Sequence, residues 1–313
     1  MIEAGNTQYA QSNGLKIAYE SFGNPDNPAI ILVAGLYNQL VRWPLELCQH
    51  LVDRGYRVIR FDNRDIGLSD KFAGVRAPSY FRLLLKSYFG IPVAAPYSLE
   101  DMAADTVGLL DALEIPAAHL VGMSMGGMIS QIVAGRYPDR VLSLTSIMST
   151  SGERGKGQAS LKVSLKMLQP ASKDKTPLDI AVEIWQMLAG PAYPMTDDEI
   201  RKQVIAEHQR SSNPAGYMRQ IGAIRTSPSR VALLKSIKVP TLIIHGNQDV
   251  LVPVSGGIDT AKHIAHANLV RFEGMGHTLP QALLDRFAEL IVKNCKDAVK
   301  GDDTAQSVNL GTN

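Results

Sequence analysis

The chain has 313 residues, 45% of them hydrophobic, and carries 32 basic against 30 acidic side chains for a formal net charge of +2. That near balance, with no block of like charges, excludes a nucleic-acid partner held by bulk positive charge. No apolar run reaches membrane-spanning length, and the opening "MIEAGNTQYAQSNG" lacks the basic start and apolar stretch of a secretory signal; the expectation is a cytoplasmic protein without stable membrane insertion.

In chain order, Leu15 to Ser21, Ala29 to Ala34 and Tyr56 to Asp62 read as strands, with a helix around Pro44 to Arg54 between the last two. The segment from Lys71 to Tyr97 contains "SYFRLLLKSYFG", apolar and aromatic on most faces. It reads as a lid or packing helix, with a dimer contact or a membrane-surface helix as the alternatives, because it offers few basic residues to lipid headgroups. Leu99 to Leu113 is an amphipathic helix with Leu99, Met102, Ala103, Val107 and Leu110 on one stripe. A strand ending at Val121, a helix from Met125 to Gly135 and strands at Val141 to Ile147, Thr241 to His245 and Leu269 to Glu273 follow, then a helix from Pro280 to Asn294. This order predicts an α/β fold with a mostly parallel sheet covered by helices on both faces. Residues 153 to 237 carry only helical signals and fall between two strands, so they read as an inserted helical cap on a core of 1–152 and 238–295. From Lys296 onward the sequence loses apolar periodicity and reads as a flexible tail. Cys48 and Cys295 lie in helical segments near opposite ends of the chain; neither a disulfide nor a metal site is expected of them.

The stretch "GMSMGG" places Ser124 between a strand and a helix, with Gly122 and Gly126 on either side. A turn that sharp forces unfavourable angles on its central residue and needs neighbours without side chains. G-x-S-x-G in that setting is the nucleophile elbow, which lifts a hydroxyl clear of the sheet; a phosphate loop or a plain tight turn is the alternative. Met123, Met125 and Met128 around it read as core packing rather than a soft-metal site. A serine hydroxyl is a weak nucleophile until an imidazole, itself oriented by a carboxylate, activates it. Among seven histidines, His277 follows the loop "EGMG" at the end of the last strand, whereas His245 reads as a packed core histidine and His119 starts the strand that leads to the elbow. Asp249 stands in the turn after another strand, giving the chain order Ser124, Asp249, His277. Asp62 and Asp65 also leave a strand end, but "RFDNRDIGLSD" reads as a structural turn held by Arg64 and Asp65.

With "GMSMGG", "PTLIIHGNQD", "GMGH" and "RFDNRDIGLSD" together, residues 8 to 295 resemble the α/β-hydrolase superfamily. "LYNQLVRWP" followed by "RVIRFDNRDIGLSD" is similar to the branch of aclacinomycin methylesterase and related bacterial carboxylesterases. The resemblance implies a Ser-His-Asp triad of Ser124, His277 and Asp249, and an oxyanion hole made by the backbone N–H groups of Met125 and Leu36. The usual His-Gly pair of that loop is Ala34-Gly35 here, a change that removes a side chain and leaves the amide. The activity implied is hydrolysis of a small or medium carboxylic ester through an acyl-enzyme, without metal or organic cofactor. Trp185 and Tyr37 are the candidates for the substrate pocket. The same triad serves C–C bond hydrolysis, proline iminopeptidase chemistry and cofactor-free perhydrolysis. For an aminopeptidase the acidic "TDDE" at 196–199 is the available amine grip, yet Thr196 with Glu199 reads as a capping box. A receptor-like binding protein with negligible turnover is the reading outside enzymology.

Overall fold

The computed structural model describes residues 2–3, 6–79, 93–166 and 174–309. Eight strands form one sheet: β1 (Gln8–Ser12), β2 (Leu15–Phe22), β3 (Ala29–Val33), β4 (Arg57–Phe61), β5 (Ala118–Met123), β6 (Val141–Ile147), β7 (Thr241–Gly246) and β8 (Asn268–Phe272). Their spatial order is β1-β2-β4-β3-β5-β6-β7-β8, with β1 and β2 antiparallel to their neighbours and all other pairs parallel.

Strands β3 and β5, in the middle of the sheet, are buried at every position, which is why "AIILV" and "AHLVGM" show no apolar–polar alternation. Successive side chains still point to opposite faces. Ile31 and Val33 join one core with Leu99, Met102, Ile129 and Val133, from α2 (Leu99–Ala112) and α3 (Met125–Arg136). Ile30 and Leu32 join the other with Leu47 and Leu51 of α1 (Leu45–Val52) and Phe287 and Ile291 of the last helix. Met125 and Met128 belong to the first core and Met123 to the second. The first turn of α2 is fixed by a capping box, Ser98 accepting from the Asp101 amide while the Asp101 carboxylate accepts from the Ser98 amide.

Between β6 and β7 the described residues hold α4 (Leu161–Lys166), α5 (Pro177–Ala189), α6 (Asp197–Arg210), α7 (Pro214–Thr226) and α8 (Val231–Leu234). Thr196 and Glu199 do form a capping box, at the start of α6. After β7 comes α9 (Ser255–His263), and the chain closes with α10 (Leu284–Asn309), preceded by a single turn at Gln281–Leu283. Helical structure therefore continues past Lys296, where the sequence reads as a flexible tail. A helix nucleated by packed residues such as Phe287 and Ile291 propagates at little cost through a segment free of proline. The stretch Tyr80 to Phe89, read as a lid, a dimer contact or a lipid-facing helix, lies outside the described residues. Among the described residues no helix is long and apolar enough to cross a membrane. Both cysteines are free and buried, and burial pushes each thiol up to about 12.

Candidate active site

Every polar residue singled out after a strand sits at the carboxyl end of the sheet. Ser124 joins β5 to α3 with φ of 54° and ψ of −119°, a backbone region that residues with a Cβ rarely adopt. Its amide donates to the Ile147 carbonyl at 2.8 Å, and its carbonyl accepts from the Ser149 hydroxyl at 2.8 Å, so the strained residue is pinned from both sides. A Cβ on Gly122 would overlap the Gly126 carbonyl, and a Cβ on Gly126 would overlap the Val33 carbonyl. The two glycines thus let α3 start directly over β5 and β3.

His277 and Asp249 reach the serine from the loops that follow β8 and β7. The Asp249 carboxylate accepts from the amides of Leu251 (2.9 Å) and Val252 (2.8 Å) through Oδ1, and from His277 Nδ1 through Oδ2 at 2.6 Å. An ionised carboxylate only accepts, so the proton sits on Nδ1 and leaves Nε2 with a lone pair. The Ser124 hydroxyl donates to that Nε2 across 2.9 Å. Burial alone would raise the Asp249 carboxyl, but His277 and His245 outweigh burial and hold it at about 2. Ser124, His277 and Asp249 therefore form one hydrogen-bonded chain, the geometry that acyl transfer demands of a nucleophile, a base and an orienting acid.

His245 is fully buried, as its apolar strand predicts, and its neighbourhood was not legible in the sequence. Its Nε2 lies 2.7 Å from the Val252 carbonyl, to which it must donate, and 3.5 Å from Asp249 Oδ2. His119 hydrogen-bonds Ser143 and stacks edge-on against Tyr56, within the sheet and away from the elbow. Asp62 and Asp65 have other work. Asp62 accepts from the Leu40 and Leu68 amides and from Arg210 of α6, while Arg219 of α7 grips Asp65 with two nitrogens at 2.5 and 2.8 Å. The turn in "RFDNRDIGLSD" is held by these outside partners and by an Arg64–Asp105 pair to α2, rather than by Arg64 and Asp65 alone.

The loop after β3 brings Gly35 to the serine, with Leu36 and Tyr37 next in the chain. A Cβ on Gly35 would sit 3.3 Å from both the Ser124 Cβ and the Asn38 side-chain nitrogen. Among the described residues the amides of Leu36 and Met125 find no acceptor, so both remain available to a ligand. Met125 begins α3, where the first N–H groups of a helix favour negative charge. Tyr37 is 37% exposed and packs edge-on against Tyr217 with centroids 5.4 Å apart. Trp185 lies over the Arg42 guanidinium at 4.0 Å, and Arg42 in turn pairs with Glu207. Its partner is thus a buried charge between α5 and the loop after β3.

The histidine loop is stitched to α5. The Leu188 carbonyl accepts from the His277 amide at 2.6 Å, the Ala189 carbonyl from the Gly276 amide at 3.0 Å, and the Gly274 carbonyl from the Ala192 amide at 3.1 Å. The carbonyls that a helix end leaves unpaired are thereby satisfied by the loop that carries His277. Beside this seam a cleft of about 570 Å³ opens between Met187, Pro191 and the Gln248 and Val250 that flank Asp249. It lies beside Asp249, and Ser124 is not among its lining residues. Among the described residues no group of three or more His, Cys, Asp or Glu could hold a metal.

A family model for the alpha/beta hydrolase fold matches residues 28–180. Rhodomycin D methylesterase of Streptomyces peucetius is 30% identical over 303 residues, covering 89% of this chain and 94% of the relative. A 2-hydroxy-6-oxononadienedioate/2-hydroxy-6-oxononatrienedioate hydrolase of Burkholderia vietnamiensis is 25% identical over 284 residues, 89% of this chain and 90% of that one. Among solved structures, an esterase from Exiguobacterium antarcticum superposes with a TM-score of 0.71 at 20% identity, over 94% of this chain and 100% of the other, a likeness of fold. Identity spread over nearly the whole of both chains, on a sheet of this topology with a positive-φ serine between β5 and α3, places the chain in the α/β-hydrolase superfamily, on its methylesterase-like branch.

Proposed function

We propose that this chain is a serine hydrolase of small or medium carboxylic esters, with Ser124 as nucleophile, His277 as general base and acid, and Asp249 as the group that orients the imidazole. The hydrogen-bonded chain from Ser124 Oγ through His277 to Asp249 carries the reading. Its class as a carboxylic ester hydrolase rests on the methylesterase relatives and the fold.

In the acylation step Ser124 Oγ attacks the ester carbonyl carbon as His277 Nε2 takes its proton, and the carbonyl electron pair moves onto oxygen. The amides of Leu36 and Met125 meet that oxyanion, each donor being worth about 3 to 4 kcal/mol where such donors have been removed. The pair returns, the C–O bond to the alcohol breaks, and His277 gives its proton to the leaving oxygen. Water then repeats the sequence on the acyl-enzyme, releasing the acid and restoring the serine.

Residues 153–237 are proposed as a cap, because they leave β6 at the end of the sheet that carries Ser124 and their helices bond the loops there, Gln220 to Tyr37 and Leu188 to His277, before the chain crosses to the opposite end to begin β7. A roofed site of this kind holds about 300 to 1,000 Å³, which favours short and medium esters. C–C bond hydrolysis is the second reading, on the strength of the Burkholderia relative. A panel of p-nitrophenyl esters of rising chain length, an aminoacyl amide and a vinylogous diketone, run at equal concentration, separates the readings. Ester turnover peaking at short acyl chains is expected. Ser124→Ala should lose several orders of magnitude in rate, and a serine-directed phosphonate should label the parent at that residue alone. Faster turnover of the diketone than of every ester would replace the ester reading, and retention of more than about a tenth of the rate by the alanine variant would remove Ser124 from the mechanism.

A further inference from the structure

Gln220 of α7 is fully buried, and its amide is used on both sides. Oε1 accepts from the Tyr37 amide at 2.9 Å, and Nε2 donates to the Arg64 carbonyl at 3.1 Å. Only a neutral amide of this length satisfies an N–H and a C=O at once, and the two bonds fix which way round it sits. Tyr37 is the residue after Leu36, and its φ is +60°, in the left-handed region that costs a side-chain-bearing residue about 1 to 2 kcal/mol. The turn is closed by the Asn38 amide donating to the Gly35 carbonyl at 3.2 Å, with positive φ at its third residue as in a type II turn. One turn earlier on α7, Tyr217 packs its ring on that of Tyr37. The loop beside Ser124 is therefore held in a strained shape from outside itself, by a helix inserted more than 180 residues later.

We propose that Gln220 is a positioning residue for the oxyanion hole: by fixing the Tyr37 amide it sets the Gly35–Asn38 turn that aims the Leu36 N–H at the substrate carbonyl. This rests on the ester hydrolase reading above. The amide never touches substrate. Its contribution is made in the transition state, where charge develops on oxygen, and is nearly absent from ground-state binding.

The test is Gln220→Met, close in volume and unable to make either bond, assayed on a short p-nitrophenyl ester and against a trifluoromethyl ketone of the same acyl shape, whose serine adduct bears an oxyanion. Removing an oxyanion donor outright costs about 10²- to 10³-fold, so misplacing one should cost about tenfold or more in kcat with KM within about twofold. The ketone inhibition constant should rise by the same factor. Gln220→Asn, which keeps the amide but is one methylene short of spanning both partners, should lose kcat and ketone affinity in parallel even if the methionine variant does not fold. Adding Tyr37→Gly to either variant should recover part of kcat, because glycine adopts positive φ freely. Wild-type kcat in the substituted proteins, a kcat loss without a matching loss of ketone affinity, or no recovery from Tyr37→Gly would each overturn the inference. A parent protein that neither turns over esters nor binds the ketone would instead overturn the reading beneath it.

Discussion

Asp249→Asn tests the proposed triad at its most constrained member. The two backbone amides of Leu251 and Val252 both point at Oδ1. An asparagine must therefore place its carbonyl oxygen there, since the reverse orientation would lose two hydrogen bonds of about 1 kcal/mol each and press an NH₂ against two donors. That preference exceeds about tenfold, so the NH₂ takes the place of Oδ2 and faces His277 Nδ1. Nδ1 then has to accept, the proton moves to Nε2, and Nε2 can no longer take the proton of Ser124. The expected loss in kcat is about 10⁴-fold, the size this replacement has in a serine protease triad, with folding preserved because the side chain keeps its volume and its two amide contacts. Steady-state turnover of an activated ester, with circular dichroism to confirm the fold, measures it. A loss under about tenfold in a folded variant would mean that the imidazole is oriented by something else, and would refute the argument from the two amides.

Three further outcomes follow from the same geometry. Asp65→Asn leaves the Arg219 guanidinium, whose side chain is only 4% exposed, without its counter-charge, and should cost about 3 kcal/mol in urea unfolding while harming kcat of the folded protein far less than Asp249→Asn; equal kcat losses would move the orienting acid elsewhere. Gly126→Ala should prevent folding or cost more than about 3 kcal/mol, because its Cβ overlaps the Val33 carbonyl, a backbone atom that cannot step aside; a wild-type melting curve would refute the elbow packing. Because the Asp249 carboxyl is held down from 3.8 to about 2 in the folded chain, its contribution of about 2 kcal/mol is fully present above pH 4 or so and is lost as pH falls through about 2. Urea midpoints of the parent and Asp249→Asn should therefore converge toward pH 2, and a constant gap would refute the linkage.

What the sequence disclosed followed the range of the interaction. Strand β3 was legible to within one residue, Ala29 to Val33, because a strand buried on both faces writes an unbroken apolar run. Strand β1 was not, since "QYAQS" is an edge strand with three exposed positions and only Ala10 and Ser12 turned inward, too thin a pattern to register. Helix α9 opens Ser-Gly-Gly, which hides its start. Ser124, Asp249 and His277 could be singled out because each follows a strand end, and the sheet then delivers them to one edge; their meeting at 2.6 and 2.9 Å is a property of the fold. The ion pairs Asp62–Arg210 and Asp65–Arg219 and the Gln220 bridge join residues more than 140 positions apart, and no local periodicity encodes them.

The seam between α5 and the histidine loop bears on how this enzyme can be remade. Specificity in such a scaffold invites transplantation, exchanging the inserted helices for those of a relative while the sheet stays behind. Here the graft boundary does not coincide with the ends of β6 and β7. The carbonyls of Leu188 and Ala189 hold the backbone of Gly276 and His277, and a side chain on either Gly190 or Gly276 would collide across the join. A donor segment with a bulkier residue at 190 would push His277 off Ser124 before any substrate arrived. The usable module for chimeras is the inserted helices together with the 274–277 loop, moved as one piece.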